Sequence, residues 1–190
     1  MINLIIIWVL YYLLHSILAA QGVKSAVTAK TVMSDQVYRL LYVVLSALLF
    51  IAILFYTATL NHHYLWGSMI SKFFGLMLAT YGIFITRAAF RNYNTRAFLG
   101  LTNPGKENEK LITDGLQKHI RHPLYAGTIL LFLGFFFYMP TMENLAVVVV
   151  SLLYVFIGIK IEEKKLAKTF GQEYENYKRN VPMLVPRFKK

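Results

Sequence analysis

Apolar residues recur along this chain in long unbroken runs separated by short polar stretches, not in the alternation of a half-buried strand or the narrow stripe of a soluble helix. Ile2 to Ala20 is nearly all apolar, and so are Leu40 to Leu60 and Phe73 to Thr86, the last extending at both ends. Leu124 to Tyr138 and Leu145 to Lys160 follow, joined by the tight polar turn Met139, Pro140, Thr141, Met142, Glu143, Asn144. Several of these runs approach the roughly 20 residues that take a helix across a hydrocarbon core of about 30 Å. The pattern predicts an all-α, polytopic membrane protein with about five transmembrane helices, the last two forming a hairpin. A membrane β-barrel would need segments of about ten residues with alternating polarity, whereas Leu145 to Val155 is apolar on both faces.

The basic residues sharpen this picture. Lys24, Lys30 and Arg39 follow the first span; Arg87, Arg91, Arg96, Lys106, Lys110, Lys118 and Arg121 follow the third; nine more lie from Lys160 to Lys190. Of the 20 Lys and Arg, only Lys72 falls on the other side of a five-span chain. Cytoplasmic loops next to spans carry such an excess, so the N-terminus is expected outside and the C-terminus in the cytoplasm. The net charge of +11 then serves orientation and anionic lipid, and no nucleic-acid partner is expected. Met1 to Ala20 lacks a basic n-region and reads as a retained span, not a signal peptide.

The 190 residues suit a single integral membrane domain, with 57% hydrophobic residues against the roughly half of soluble domains. Residues 1–86 hold the first three spans. Residues 87–190 hold the hairpin, the cytoplasmic tail and most side chains capable of chemistry; Thr102 to Gly105 reads as an exposed turn. Cysteine is absent, which excludes a disulfide framework, a thiolate metal site and a cysteine nucleophile. No phosphate loop, nucleophile elbow or zinc signature occurs, and the adjacent His62 and His63 have no acidic neighbours that would make a metal site. No metal is expected.

Two stretches carry candidate chemistry. In the first, Asp114 to Gly127, Pro123 suits the first turn of a helix, which places His122 at its cap and leaves free backbone N–H groups facing the cytoplasm. With Arg121 and His119 beside it, that helix start suits a carboxylate or phosphate, which arginine can grip bidentately. Tyr125 offers an aromatic face to a cation, and Gly127 admits a ligand or a neighbouring helix to the backbone. Arg121 and Tyr125 also fit the ordinary roles of topology anchor and interfacial aromatic.

The second stretch continues span five. Glu163, Ala167, Phe170, Tyr174 and Tyr177 step by three or four residues, as one helix face with a carboxylate at its membrane end would. Glu162 and Glu163 could equally be neutralised by Lys164, Lys165 and Lys168 on a solvated helix. Within span one, Tyr11, Tyr12, His15 and Ser16 are unusually polar; a histidine at membrane depth marks either a functional site or hydrogen bonding between helices.

Arg121-His122-Pro123-Leu124-Tyr125-Ala126-Gly127, then Glu162-Glu163-Lys164-Lys165-Leu166, then Gly171, Tyr174, Tyr177 and Val181-Pro182 resemble, as an ordered set, the isoprenylcysteine carboxyl methyltransferase superfamily of membrane enzymes. Leu14-His15-Ser16-Ile17-Leu18-Ala19 and Tyr38-Arg39-Leu40-Leu41-Tyr42 are more similar to its bacterial branch, which contains methanethiol S-methyltransferase and nitric-oxide-cluster membrane proteins. The resemblance implies an S-adenosylmethionine-dependent methyltransferase in a bacterial inner membrane, its cofactor site facing the cytoplasm. The acceptor would be a small or lipid-like thiol, carboxylate or lipid. Cofactor-binding roles would fall to Arg121, His122, Pro123, Leu124, Tyr125, Gly127, Glu162, Glu163, Tyr174 and Tyr177. Arg179 or His119 would stabilise an ionised acceptor, and Tyr12 and His15 would lie on the substrate side. The alternative is a non-catalytic accessory protein of the nitric-oxide-cluster type that binds haem or another small ligand, with His15 as its best candidate residue. Where many relatives have Gly-Pro-Tyr this chain has Gly115-Leu116-Gln117.

Overall fold

Every apolar run forms a helix, and a lone bridge between Tyr64 and Thr141 is the sole β-type pairing among the described residues. The structure is a computed structural model and describes residues 1–60, 62–91, 96, 101 and 110–187. Its helices are α1 (Ile2–Ala19), α2 (Gln21–Lys30), α3 (Asp35–Thr59), α4 (Met69–Phe90), α5 (Pro123–Tyr138), α6 (Met142–Phe170) and α7 (Gln172–Asn180), with a 3-10 turn at Gly115–Lys118. Four of them, α1, α3, α4 and α6, are long and apolar enough to cross a membrane, and α5 is a shorter apolar helix of 16 residues. These are the five expected spans of an all-α polytopic membrane protein. The turn expected over Thr102 to Gly105 lies outside the described residues.

The chain forms two compact units, whose described helices are α1 to α3 in the first and α4 to α7 in the second. In the first, α1 buries Leu4, Trp8 and Tyr12, which recur every fourth residue and so share one face. Ile2, Ile6, Leu10, Leu13 and Ile17 remain exposed on the rest of the helix, as lipid contact would require. Trp8 meets Phe50 of α3 edge to face, with ring centres 5.8 Å apart. Ser34 caps α3 by accepting a hydrogen bond from the Val37 amide, and Lys24 of α2 pairs with Asp35 at 2.8 Å. Helix α2 has no counterpart among the apolar runs, being short and polar.

In the second unit, α4 and α5 run antiparallel with glycine against glycine. A Cβ on Gly82 would lie 2.8 Å from the Gly127 carbonyl, and one on Gly134 would lie 2.7 Å from the Gly75 carbonyl. The two glycines of each helix stand two turns apart, so the backbones touch twice along one seam, the small-residue packing of membrane helices. Helices α5 and α6 form the expected hairpin. Thr141 caps α6 by accepting from the Asn144 amide at 3.1 Å, and Asn144 Nδ2 donates to the Met139 carbonyl at 2.8 Å.

Helix α6 has 29 residues, about 43 Å at 1.5 Å per residue, and so outreaches a core of about 30 Å. Its C-terminal turns, from Lys160 onward, carry all of its charged residues but Glu143. The single face expected from Glu163 through Tyr177 is broken at Gly171, whose φ of +53° ends α6 and starts α7 in a new direction. The three- and four-residue spacing persists on both sides of the glycine, which made the segment look continuous.

Candidate functional site

Glu163 is brought inward by the register of α6. Val147, Ser151, Val155, Ile159 and Glu163 are all buried and step by four residues, so the stripe that packs the helix ends in a carboxylate. Glu162, about 100° round the helix, is half-buried and lies off that stripe. Of the two adjacent acids, Glu163 faces the interior.

Three cationic or donor side chains converge on it. Arg121 donates through Nη2 and Nε to Glu163 Oε1 at 2.6 and 3.0 Å, and His122 Nε2 stands 3.1 Å from the same oxygen. Lys178 Nζ lies 3.1 Å from Oε2. The Arg121, His122 and Glu163 side chains are at most 10% exposed, whereas that of Lys178 is 41% exposed. Charge-assisted hydrogen bonds in a water-poor setting are strong only when every member is matched, and Oε1 is saturated here.

Pro123 occupies the first turn of α5 with His122 as the N-cap residue, as the sequence predicts. The two amides before the helix are engaged by the chain's own tail: Arg121 N–H donates to the Pro182 carbonyl at 2.9 Å and His122 N–H to the Met183 carbonyl at 3.1 Å. Arg121 Nη1 also donates to the carbonyls of Lys178 and Val181, at 3.1 and 2.6 Å. Arg121 therefore ties α6, the end of α7 and the tail to the α5 entrance, and the carboxylate in its grip is Glu163.

The remaining candidates fall on either side of this cluster. Tyr174 is fully buried, with its hydroxyl beside the Glu163 carboxylate and the Arg121 guanidinium. Burial, and then the nearby Glu163 charge, push that phenol well above the ordinary tyrosine range, so it stays a neutral donor. Tyr177 donates to the Gln117 carbonyl at 2.7 Å and pins α7 to the 3-10 turn. Replacing Tyr177 with phenylalanine is expected to lower stability by about 0.5–1.5 kcal/mol, read from denaturant or thermal unfolding in detergent. Tyr125 packs its ring against His122, centres 5.7 Å apart, and reaches α6 at Gly158. Leu124 is half-buried. At Gly127 the neighbour is a helix: a Cβ there would collide with Thr86 Oγ1 and meet the Gly82 carbonyl at 3.0 Å. His119 and Arg179 are exposed.

Tyr12 and His15 belong to the first unit. Tyr12 is buried, while His15 sits with Nδ1 3.3 Å from Ser46 Oγ and Nε2 3.0 Å from the Tyr42 hydroxyl, both on α3. These are bonds between helices, the second of the two uses open to such a histidine. Among the described residues no group of three His, Asp or Glu side chains could hold a metal ion.

Sequence reasoning missed Lys178 and the tail carbonyls. The Val181-Pro182 motif marked the segment, but nothing in its residue types showed that its backbone would close on Arg121.

Fold and site together define an all-helical membrane protein with a buried Arg121-His122-Glu163 cluster. The Phospholipid methyltransferase family matches residues 70–173, more than half of the chain and the whole of Arg121 to Glu163. The chain belongs to this family, and the resemblance to membrane methyltransferases of the isoprenylcysteine type holds. It is similar to Methanethiol S-methyltransferase of Crocosphaera subtropica, 39% identical over 77 residues that cover 40% of this chain and 29% of that protein. The enzyme of that name from Pseudomonas deceptionensis is 36% identical over 100 residues, 51% of this chain and 37% of that protein. Protein-S-isoprenylcysteine O-methyltransferase of Schizosaccharomyces pombe is 34% identical over 83 residues, 40% of this chain and 33% of that protein. The chain thus matches about a third of the length of these curated relatives. No solved structure matches it.

Proposed function

We propose that this protein is an S-adenosylmethionine-dependent methyltransferase of the inner membrane, acting on a small or lipid-like acceptor from residues 87–190, with its N-terminus outside and its cofactor site facing the cytoplasm. The observation that carries the reading is the closure of Arg121, His122 and Lys178 on Glu163, beside the neutral hydroxyl of Tyr174. The relatives' names supply the acceptor class: a small thiol or the carboxylate of an isoprenylated cysteine. The lopsided distribution of Lys and Arg supports the orientation.

The residues present suit this cofactor. Its amino-acid end carries an ammonium, and the cluster offers a buried carboxylate with a neutral phenol beside it. When bound, the cofactor supplies a methyl group on a positively charged sulfur, which leaves as a neutral thioether once the acceptor's lone pair forms the new bond. The protein's part is to hold two reactants in line and exclude water, which supplies much of the rate without a general base of its own. Arg121 and His122 keep Glu163 ionised and fixed; Tyr174 walls the site and donates.

Calorimetry of the purified protein in detergent or nanodiscs, titrated with S-adenosylhomocysteine, is expected to show saturable one-site binding. Incubation with labelled methyl donor and methanethiol, an isoprenylated cysteine or a phospholipid amine is then expected to label one of the three. Binding of no adenosyl compound would end the proposal.

A further inference from the structure

The two oxygens of Glu163 are held in unlike ways. Oε1 receives Arg121 twice and His122 once, from side chains fixed at the α5 entrance and closed to solvent. Among the described residues, the ion pair at Oε2 is with the Nζ of Lys178, at 3.1 Å, at the end of a long flexible side chain that is 41% exposed. Tyr174 is fully buried, and burial, then the Glu163 charge, holds its phenol neutral. The Oε1 edge is a structural joint. The Oε2 edge is a carboxylate facing a movable primary ammonium.

From this asymmetry we propose that Lys178 is an internal stand-in for a ligand's primary ammonium: it neutralises Oε2 of Glu163 when the site is empty and is displaced when an amino-acid ammonium binds there. The inference rests on the methyl-donor reading and refines it, because it names the oxygen that takes the amino group and makes Lys178 a competitor, not a contact. An ionised carboxylate whose second oxygen stood bare in a half-closed site would carry an uncompensated charge. Lysine serves as the filler where arginine could not: a compact, strongly hydrated point charge on a flexible stem leaves more readily than a bidentate fork. Exchange of one ammonium for another leaves the charge of the cluster unchanged, so Arg121 and His122 need not move.

The Lys178 backbone carbonyl, which accepts from Arg121 Nη1, survives any side-chain substitution, so the position can be varied without cutting that tie. The test compares S-adenosylhomocysteine with its analogue bearing an oxo group in place of the amino group, on wild type, Lys178→Met and Lys178→Arg, by calorimetry. Removing an ion pair of this exposure is expected to tighten S-adenosylhomocysteine binding by about two- to fivefold in Lys178→Met. Lys178→Arg should bind it no tighter than wild type, and the oxo analogue should gain nothing from Lys178→Met. If Lys178→Met bound S-adenosylhomocysteine equally or more weakly, or tightened both compounds alike, the stand-in role would be wrong while the methyl-donor reading stood. Failure of wild type to bind either compound would remove both.

Discussion

Replacing Glu163 with alanine is expected to lower the affinity for S-adenosylhomocysteine by about a hundredfold or more, close to 3 kcal/mol of binding free energy. It should also destabilise the protein by about 3–5 kcal/mol, because removing one partner of a buried ion pair strands the other. Both effects come from one geometry. Arg121 and His122 would keep their places, held by the tail carbonyls, but would confront each other across an emptied space. The Arg121 side chain is only 7% exposed, too little for water to replace the carboxylate.

Glu163→Gln separates the two losses. The amide keeps the shape and one acceptor oxygen, so it should cost less stability, about 1.5–3 kcal/mol for hydrogen bonds to a charged group, while still losing the charge that an ammonium needs. Thermal unfolding in detergent and calorimetry read the two quantities independently. Were Glu163→Ala to melt at the wild-type temperature and bind with the wild-type constant, the cluster would be neither joint nor site. Glu162→Gln is the control: its side chain lies off the buried stripe, and neither quantity should move appreciably.

That contrast marks what the sequence could reveal. The motif alone does not say which of Glu162 and Glu163 is buried. The four-residue step that starts at Val147, about four turns upstream, does, and that step was legible in the chain. The helix start at Pro123 was legible for a simpler reason, since a residue without an N–H and with a fixed φ has few other places to go. Other features were beyond reach. The tie from Arg121 to the Val181 and Lys178 carbonyls joins residues some sixty positions apart through backbone groups that every residue possesses. The break at Gly171 was hidden by an apolar and aromatic spacing that happens to suit one helix, although the positive φ it requires is what glycine provides. Helix α2 escaped because a short polar helix between two spans has no periodicity strong enough to mark it.

The seam between α4 and α5 should be the most sensitive packing in the second unit. Gly75→Ala together with Gly134→Ala is expected to cost several kcal/mol, since one overpacking substitution in a close-packed contact costs about 1–3 kcal/mol and here each new methyl meets backbone, not a side chain that can turn away. A Cβ on Gly134 would lie 2.6 Å from the Ala79 amide nitrogen, and one on Gly75 would lie 2.6 Å from the Gly134 carbonyl, so the helices would have to separate. Gly158→Ala makes the fitting control, because its Cβ would meet only the Tyr125 ring and hydroxyl, from 3.4 Å outward, an ordinary contact. The consequence should reach the site through Gly127, which is pressed against Thr86 and Gly82 one turn inside the α5 entrance that carries Arg121 and His122. Gly127→Val is therefore expected to weaken S-adenosylhomocysteine binding as well as stability, although its side chain would touch no part of the cluster named above. Unfolding in a denaturing detergent, followed by circular dichroism, measures the first effect and calorimetry the second. Wild-type stability in the double alanine variant would mean that the two backbones do not meet as closely as the glycines require.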